Sequence, residues 1–328
     1  MVPLMVGMTL ISFIVSHTLP ADPVGANLGQ RSMEDPAIVA AFRAQWGLDR
    51  PLPEQYLAYV RNLVQGNLGV SIRTHMPVTD DLGRYLPASA ELAISATLVG
   101  TFLGIPFGVV SAVRRNHWID HVVRGVSLLG VSSPVFWLGL IALYIFYFRL
   151  GWLPGPGRLD VGLPEPGHLT GMYTLDSLLT GNWAALGSSL RHLVLPGLVL
   201  ASVYLGLVTR MTRSSMLEVL SADYVRTARG KGLRPRAVVF RHALGNALIP
   251  TITVLGLAFG DILAGTVLTE TIFSWPGIGR YAYQSAVTLD FPAIMGVSLV
   301  IAAVFIVVNL ATDLAYLFLD PRLRRATG

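Results

Sequence analysis

Charge is scarce in this sequence. Asp, Glu, Lys and Arg make up 13% of its 328 residues, against 53% hydrophobic. A soluble domain carries about 25% charge. So little charge cannot clothe a water-facing surface, and lipid is the alternative solvent. Cysteine is absent, which excludes disulfides and thiolate metal sites and selects no redox compartment. The phosphate cradle G-x-x-x-x-G-K-[ST] is missing, so the chain has no ATP site of that kind. H-E-x-x-H and the G-x-S-x-G elbow are missing too. His17, His75, His117, His121, His168, His192 and His242 are scattered, mostly at the borders of apolar runs. They read as interface or loop histidines, not as a ligand set. No catalytic or metal-binding residue is assigned.

What is present is long apolar runs. A bilayer core takes about 20 apolar residues in a helix. Six runs qualify, at roughly Val2–Leu19, Leu92–Val113, Val122–Phe148, Leu193–Thr209, Leu248–Leu268 and Ala293–Phe318. They are too long and too uniformly apolar for barrel strands, so helices must satisfy the backbone. The fold class is an all-α polytopic membrane protein. The first run resembles a signal peptide only in length, because no basic region precedes it and five more runs follow. Met1-Val2-Pro3 stands almost inside that run, as expected if a short basic leader preceded it.

The net charge of +5 could suggest nucleic acid. Its distribution points to membrane topology instead, with no nucleic-acid partner. With the N-terminus inside, the inner segments hold Arg114, Arg115, Arg124, Arg210, Arg213, Arg226, Arg229, Lys231, Arg234, Arg236, Arg241, Arg322, Arg324 and Arg325. These are fourteen of the 24 basic residues. The outer segments carry an excess of acids. Both termini are therefore expected in the cytoplasm. The organisation follows: a first helix over 1–19, an outer helical insert over 20–91, a membrane core over 92–318 and a tail over 319–328. The core includes an inner loop at 210–247 and an outer loop at 270–292. Helices are expected in the insert near Asp35–Trp46, Pro53–Val64 and Pro77–Leu86. The outer segment Gly151–Arg191 reads as loop with one short helix.

Asp261 sits within the fifth run. A carboxylate at that depth is costly and marks a functional position. An aspartyl intramembrane protease would need a second deep carboxylate and a glycine where Ala258 stands; neither is present. Asp261 is expected to face a watery path or to be bonded within the bundle.

The inner loop around Ser221–Arg236 is the most informative stretch. Ser221 suits an N-cap and Asp223 the first turn. Arg226 and Arg229 suit the C-terminal end, and Gly230 and Gly232 can supply a left-handed cap. Pro235 suits the start of a second helix, which leads through Phe240 and His242 toward Pro250. Tyr224, Val225 and Ala228 form a narrow apolar stripe. Such a capped helix fits a groove on a partner. Equally, it fits a basic loop held on anionic lipid.

This loop resembles the coupling loop of ABC-importer permeases. Its glycine matches Gly232, and Thr227-Ala228-Arg229-Gly230-Lys231-Gly232 follows the form of the dipeptide/oligopeptide/nickel branch, with Gly230 where alanine is usual. Leu19-Pro20-Ala21-Asp22-Pro23, Leu48-Asp49-Arg50-Pro51, Gly66-Asn67-Leu68-Gly69-Val70-Ser71 and Arg210-Met211-Thr212-Arg213-Ser214-Ser215-Met216 match that branch. So do His242-Ala243-Leu244-Gly245-Asn246-Ala247, Glu270-Thr271-Ile272-Phe273-Ser274-Trp275-Pro276-Gly277 and Asp320-Pro321-Arg322. The chain is most similar to the dipeptide-permease type with a large first outer loop.

The resemblance implies a type I (MetI-like) permease fold with six spans in a bacterial inner membrane, importing di- or oligopeptides. It implies a homologous second permease, two cytoplasmic ATPases that bind ATP and Mg, and an extracytoplasmic peptide-binding protein. The ATPase contact would be Asp223, Tyr224, Arg226, Thr227, Ala228, Arg229, Gly230, Lys231 and Gly232. The loop Phe273, Ser274, Trp275, Pro276 and Gly277 would face the binding protein, although Phe and Trp also anchor at lipid interfaces. Path candidates are Ser132, Ser133, Thr251, Thr253, Asp261 and Thr266, with Ser95, Thr97 and Thr101 behind them. For any one of these, interhelix bonding is the plainer role. Pro134 and Pro250 are expected to break their helices. Nickel chelates or glutathione are alternative cargoes. An ion-gradient transporter is an alternative machine, although that class often carries inverted repeats, and none is visible here.

Overall fold

The computed structural model describes residues 2–18, 24, 28, 34–47 and 49–319. Among the described residues the chain is helical, with a single antiparallel bridge between Val70 and Pro77 and no strand. Among the described residues three helices are long and apolar enough to cross a membrane, within Val78–Val113, Trp183–Leu220 and Phe291–Thr312. A fourth crossing is available if Trp118–Ser132 and Val135–Arg149, bent by 104°, act as one span. Two of the six expected runs, at Val2–Thr18 and Leu244–Gly265, form helices that this count does not include.

The residues fall into two compact units. The first comprises 1–89 and 276–306. It contains α1 (Val2–Thr18), α2 (Pro36–Trp46), α3 (Leu52–Val64), the first turns of α4 (Val78–Val113), α12 (Ile278–Val287) and the start of α13 (Phe291–Leu319). Asp35 caps α2, its carboxylate accepting the Ala37 N–H at 2.9 Å, and Gly47 closes that helix with a left-handed φ of 66°. The expected helix at Pro77–Leu86 is not separate, because α4 runs through Gly83 and Pro87 without a break. Val78, Leu82, Ile278, Tyr281, Ala293 and Val297 form the core of this unit. Its two buried carboxylates are satisfied by neighbours. Asp290 accepts from Ser71 Oγ at 2.5 Å, and Asp81 accepts from Thr74 Oγ1 at 2.6 Å and Tyr281 Oη at 2.9 Å. Burial, and then the bond to Asp81, raises the Tyr281 phenol above its ordinary pKa.

The second unit comprises 90–275 and 307–328. It holds the rest of α4, α5 (Trp118–Ser132), α6 (Val135–Ala142), α7 (Tyr173–Leu179), α8 (Trp183–Leu220), α9 (Asp223–Gly230), α10 (Leu244–Gly265), α11 (Val267–Ile272) and the end of α13. Pro134 breaks the third run, as expected, and α6 then widens into a π-helical stretch over Leu143–Arg149. Pro250, by contrast, stays inside α10. The helix α8 is far longer than its apolar run, because Asn182 caps it at an earlier point, accepting the Ala185 N–H at 3.1 Å.

Glycine seams hold this unit together. A Cβ on Gly104 would lie 2.8 Å from Val208, and one on Gly108 2.6 Å from Thr212, so α4 and α8 touch along these positions. The same argument places Gly130 of α5 against Ser202 and Gly206 of α8 against Ser127, each 2.5 Å from a carbonyl oxygen. Gly256 of α10 has room for no side chain beside Thr312 of α13. Small residues thus let backbones approach where lipid supplies no hydrophobic drive.

Candidate coupling site and its polar clamps

The helix α9 follows α8 after a two-residue turn. Ser221 does not cap it. Its hydroxyl donates to Glu218 O at 2.7 Å and closes α8, while Ala222 stands at the N-cap of α9 without a side-chain bond. The apolar stripe points inward. Val225 and Ala228 are buried against Val238, with Val219 and Leu220 packed beside them. Tyr224 is half exposed, and its hydroxyl accepts from Asn246 Nδ2 at 2.8 Å. The other side of α9 carries exposed Asp223, Arg226, Thr227, Arg229 and Gly230. Asp223 and Arg226 lie 3.4 Å apart, an exposed pair that adds little stability.

The C-terminal cap rests on one glycine. Gly230 is the last helical residue, and Gly232 alone takes the left-handed conformation, with φ 74°. Its N–H donates to Arg229 O at 2.9 Å, and Leu233 N–H reaches Ala228 O at 3.4 Å. This double bond pattern stops the helix sharply. Pro235 then starts the next turn, which passes through a π-helical stretch over Val238–Ala243 into α10. A cavity of about 610 Å³ adjoins α9, lined in part by Arg115, Arg226, Arg229, Leu217, Leu220 and Leu233.

Two buried ion pairs lie elsewhere in this unit, and sequence reasoning singled out neither. In the first, Arg158 Nη2 meets Glu91 Oε2 at 2.5 Å. Glu91 Oε1 also accepts from the Thr174 N–H at 2.7 Å and its hydroxyl at 2.6 Å. The Arg158 guanidinium stands 3.7 Å from the Tyr173 ring centre and 5.3 Å from that of Trp275. In the second, Arg213 makes a bidentate pair with Asp120, at 2.8 and 2.9 Å. Ser111 Oγ and the Asn116 N–H, at 3.0 Å, complete the Asp120 carboxylate. The available signals were slight: a single acid at the edge of an apolar run, and one arginine in a Gly- and Pro-rich loop.

In the loop expected to face a binding protein, the two aromatic rings are buried. Phe273 and Trp275 are 2% and 1% exposed. Phe273 packs on Leu195 and Val199, and Trp275 covers Arg158. Gly277 is buried, Pro276 half-buried, and Ser274 exposed with φ 48°. Ser274 alone offers an open side chain here, so the two rings serve the chain's own packing.

Among the described path candidates, no two share a hydrogen bond. Ser132 is exposed and Ser133 half-buried at the Pro134 break. Thr251 and Thr266 are fully buried; Thr251 Oγ1 lies 3.4 Å from Thr212 Oγ1, and Thr266 donates to Glu270 at 2.7 Å. Ser95 donates to Leu92 O, whereas Thr97 and Thr101 have buried hydroxyls without a partner among the described residues. The side chains of Thr253 and Asp261 lie outside the described residues.

Comparison with known proteins extends these observations. The family described as "binding-protein-dependent transport system inner membrane component" matches residues 104–325, and its N-terminal counterpart matches residues 1–93. A "probable D,D-dipeptide transport system permease protein" of Escherichia coli K12 is 51% identical over 98% of this chain and 94% of its own length. A "di/tripeptide transport system permease protein" of Pseudomonas aeruginosa is 45% identical over 99% and 96%. Among solved structures, the inward-facing MetNI methionine ABC transporter matches with a TM-score of 0.51 at 15% identity, covering 71% of this chain and 93% of that one. That last likeness concerns the fold.

Proposed function

We infer how this chain works from one premise: it belongs to the binding-protein-dependent transport inner-membrane component family and is a permease subunit of a peptide ABC importer. Its α9 is the coupling helix. Asp223, Tyr224, Arg226, Thr227, Arg229, Gly230, Lys231 and Gly232 meet a cytoplasmic ATPase, with Ala228 seating the helix from behind. The carrying observation is the split of α9 into a buried apolar stripe and an exposed charged side. The stripe fixes the helix to the end of α8 and to Val238. A push on the exposed side is thereby passed into α8 and α10, which is how a docked helix transmits motion.

The rest of the machine follows from the family. A second, homologous permease completes the path, two ATPases bind ATP and Mg, and an extracytoplasmic protein delivers the peptide. Both termini lie in the cytoplasm, on the arginine-rich side. Short peptides are the cargo, and the D,D-dipeptide named for the 51%-identical relative is the first to try.

Gly232→Asp tests this reading. Aspartate there must hold the left-handed φ of 74°, which costs a side-chain-bearing residue about 1–2 kcal/mol, and it places an acid at the cap. Purified from cells that make all subunits, the native chain should carry a permease and two ATPases, and the variant should lose most of the ATPase. ATP-dependent dipeptide uptake should fall with it. Full ATPase recovery with the variant, or uptake driven by a proton gradient without ATPase, would overturn the assignment.

A further inference from the structure

The helices α5 and α8 touch tightly at Gly130 and Gly206. One to two turns away, the same pair flanks a cavity of about 640 Å³ lined by His121, Arg124, Gly125, Leu128, Arg210 and Arg213. Arg213 is neutralised by its bidentate pair with the fully buried Asp120. Arg124 and Arg210 are exposed and form no ion pair or side-chain hydrogen bond among the described residues. The cavity therefore carries two free guanidinium charges. Beside them Leu128, one turn along α5 from Arg124 and also in the cavity lining, is 60% exposed. Trp118, 72% exposed, stands at the start of that helix, where membrane-interface aromatics collect.

We propose that this cavity binds the phosphate headgroup of an anionic phospholipid from the cytoplasmic leaflet. The inference rests on the inside placement of these residues stated above. An occupant must satisfy two cations and cover the exposed Leu128 beside them. An amphiphile with an anionic head and an acyl tail does both. A soluble acidic protein would meet the arginines and leave Leu128 to be covered by something else. Arginine pairs phosphate oxygens in a planar fork, and basic pockets between helices on the cytoplasmic side hold such headgroups. The bound lipid would brace α5 against α8 at the end of α8 that leads into the coupling helix.

The test uses the assembled transporter purified in mild detergent, with phosphatidylglycerol as the probe and retention read by native mass spectrometry. The double variant Arg124→Gln/Arg210→Gln leaves the Asp120–Arg213 pair intact and removes only exposed, unpaired charges. Two cations near an anionic surface are worth about ten- to thirtyfold in affinity. Retention should fall by that factor in the double variant and stay native in Arg84→Gln, an exposed arginine of the other unit. Phosphatidylcholine should be held weakly and equally by all three. Equal phosphatidylglycerol retention in native and double variant would overturn the proposal. Displacement of the lipid by millimolar glycerol phosphate or inorganic phosphate would overturn it in favour of a free-anion site. Unchanged lipid with released ATPase would assign the arginines to a protein contact instead. Because the chain has no cysteine, Arg114→Cys, at an exposed position of an inner segment away from the coupling helix, gives this chain one site for an impermeant maleimide. Labelling from the outer face would sink the topology, and labelling from the inner face leaves the lipid result to decide alone.

Discussion

The two buried arginine pairs both reach α4, one through Glu91 and the other through Ser111, and are built on different plans. Glu91 and Ser111 both belong to α4, twenty positions apart by number. At 1.5 Å per residue that is roughly 30 Å, about the thickness of the hydrocarbon core. The pairs therefore bracket the apolar stretch of α4. At one end, Glu91 and Arg158 have side chains 4% and 6% exposed, and the guanidinium lies against Tyr173 and Trp275. This clamp ties a long loop to a helix. At the other end, Asp120 is sealed while Arg213 keeps 21% of its side chain in the open. That clamp ties three helix ends together through Asp120, Ser111 and Arg213, with Asn116 taking a left-handed φ of 64° to present its N–H. A closed pair penalises the loss of either partner. A half-open pair penalises the loss of the sealed partner's complement far more than the reverse, because water can still reach the open side.

The largest effect should come from the closed clamp. Arg158→Ala leaves Glu91 buried and unpaired, and breaking such a pair costs about 3–5 kcal/mol. Glu91→Gln should cost nearly as much, since Arg158 has no route to water. Thermal unfolding in detergent, with proteolysis of the 151–172 loop as a local reading, would check both. Near-native melting of either variant would remove the clamp from the stability argument. Next in size is the asymmetry of the half-open pair. Arg213→Gln, which strands a fully buried Asp120, should cost about 3 kcal/mol, and Asp120→Asn, which frees a partly exposed arginine, about 1 kcal/mol. Equal losses in these two would break the comparison.

Much of this architecture is legible in the sequence, and the clamps show where legibility stops. The apolar runs mark the long helices because lipid demands about 20 apolar residues in a row. The 104° bend follows from Pro134, and the sharp end of α9 from Gly232, which takes the left-handed conformation expected there. Ser221 misleads because a serine between two helices can close the first as readily as it caps the second. Pro87 misleads similarly; it suggests a break where α4 continues. Pairing is another matter. Glu91 and Arg158 are 67 positions apart, and Asp120 and Arg213 are 93, so no local pattern joins them. For the same reason Trp275 reads as a surface anchor beside a turn, when its ring is a wall of the closed clamp. Long-range partners decide whether a charged or aromatic residue is exposed, and one sequence does not display them.

A smaller effect separates the clamps by pH. Asp176 lies in α7 beside the closed clamp. Burial alone would raise its pKa, but hydrogen bonds from the Thr170 hydroxyl and from the Thr170 and Gly171 N–H groups outweigh burial and hold it below the ordinary value. Folding thus lowers this pKa. Its contribution is complete above the ordinary aspartate value near 3.8 and is lost as pH falls through the folded value. Gly171 O in turn accepts from Arg158 at 3.2 Å, so acid should loosen the closed clamp through Asp176. Protease cleavage of the 151–172 loop should rise only below about pH 4. Asp176→Asn should raise cleavage at neutral pH and flatten that acid limb. A limb unchanged in the variant would place the acid sensitivity elsewhere.

The finest distinction is the aromatic wall, which the half-open pair lacks. Tyr173→Leu keeps the bulk beside Arg158 and removes the ring face 3.7 Å from its guanidinium. A desolvated cation–π contact is worth about 1–2 kcal/mol. The loss should appear only while Arg158 is present. In a double-mutant cycle, Tyr173→Leu on the Arg158→Ala background should add little, leaving a coupling of about 1 kcal/mol. Additive losses would mean that the ring only fills space, and that the two clamps differ in exposure alone.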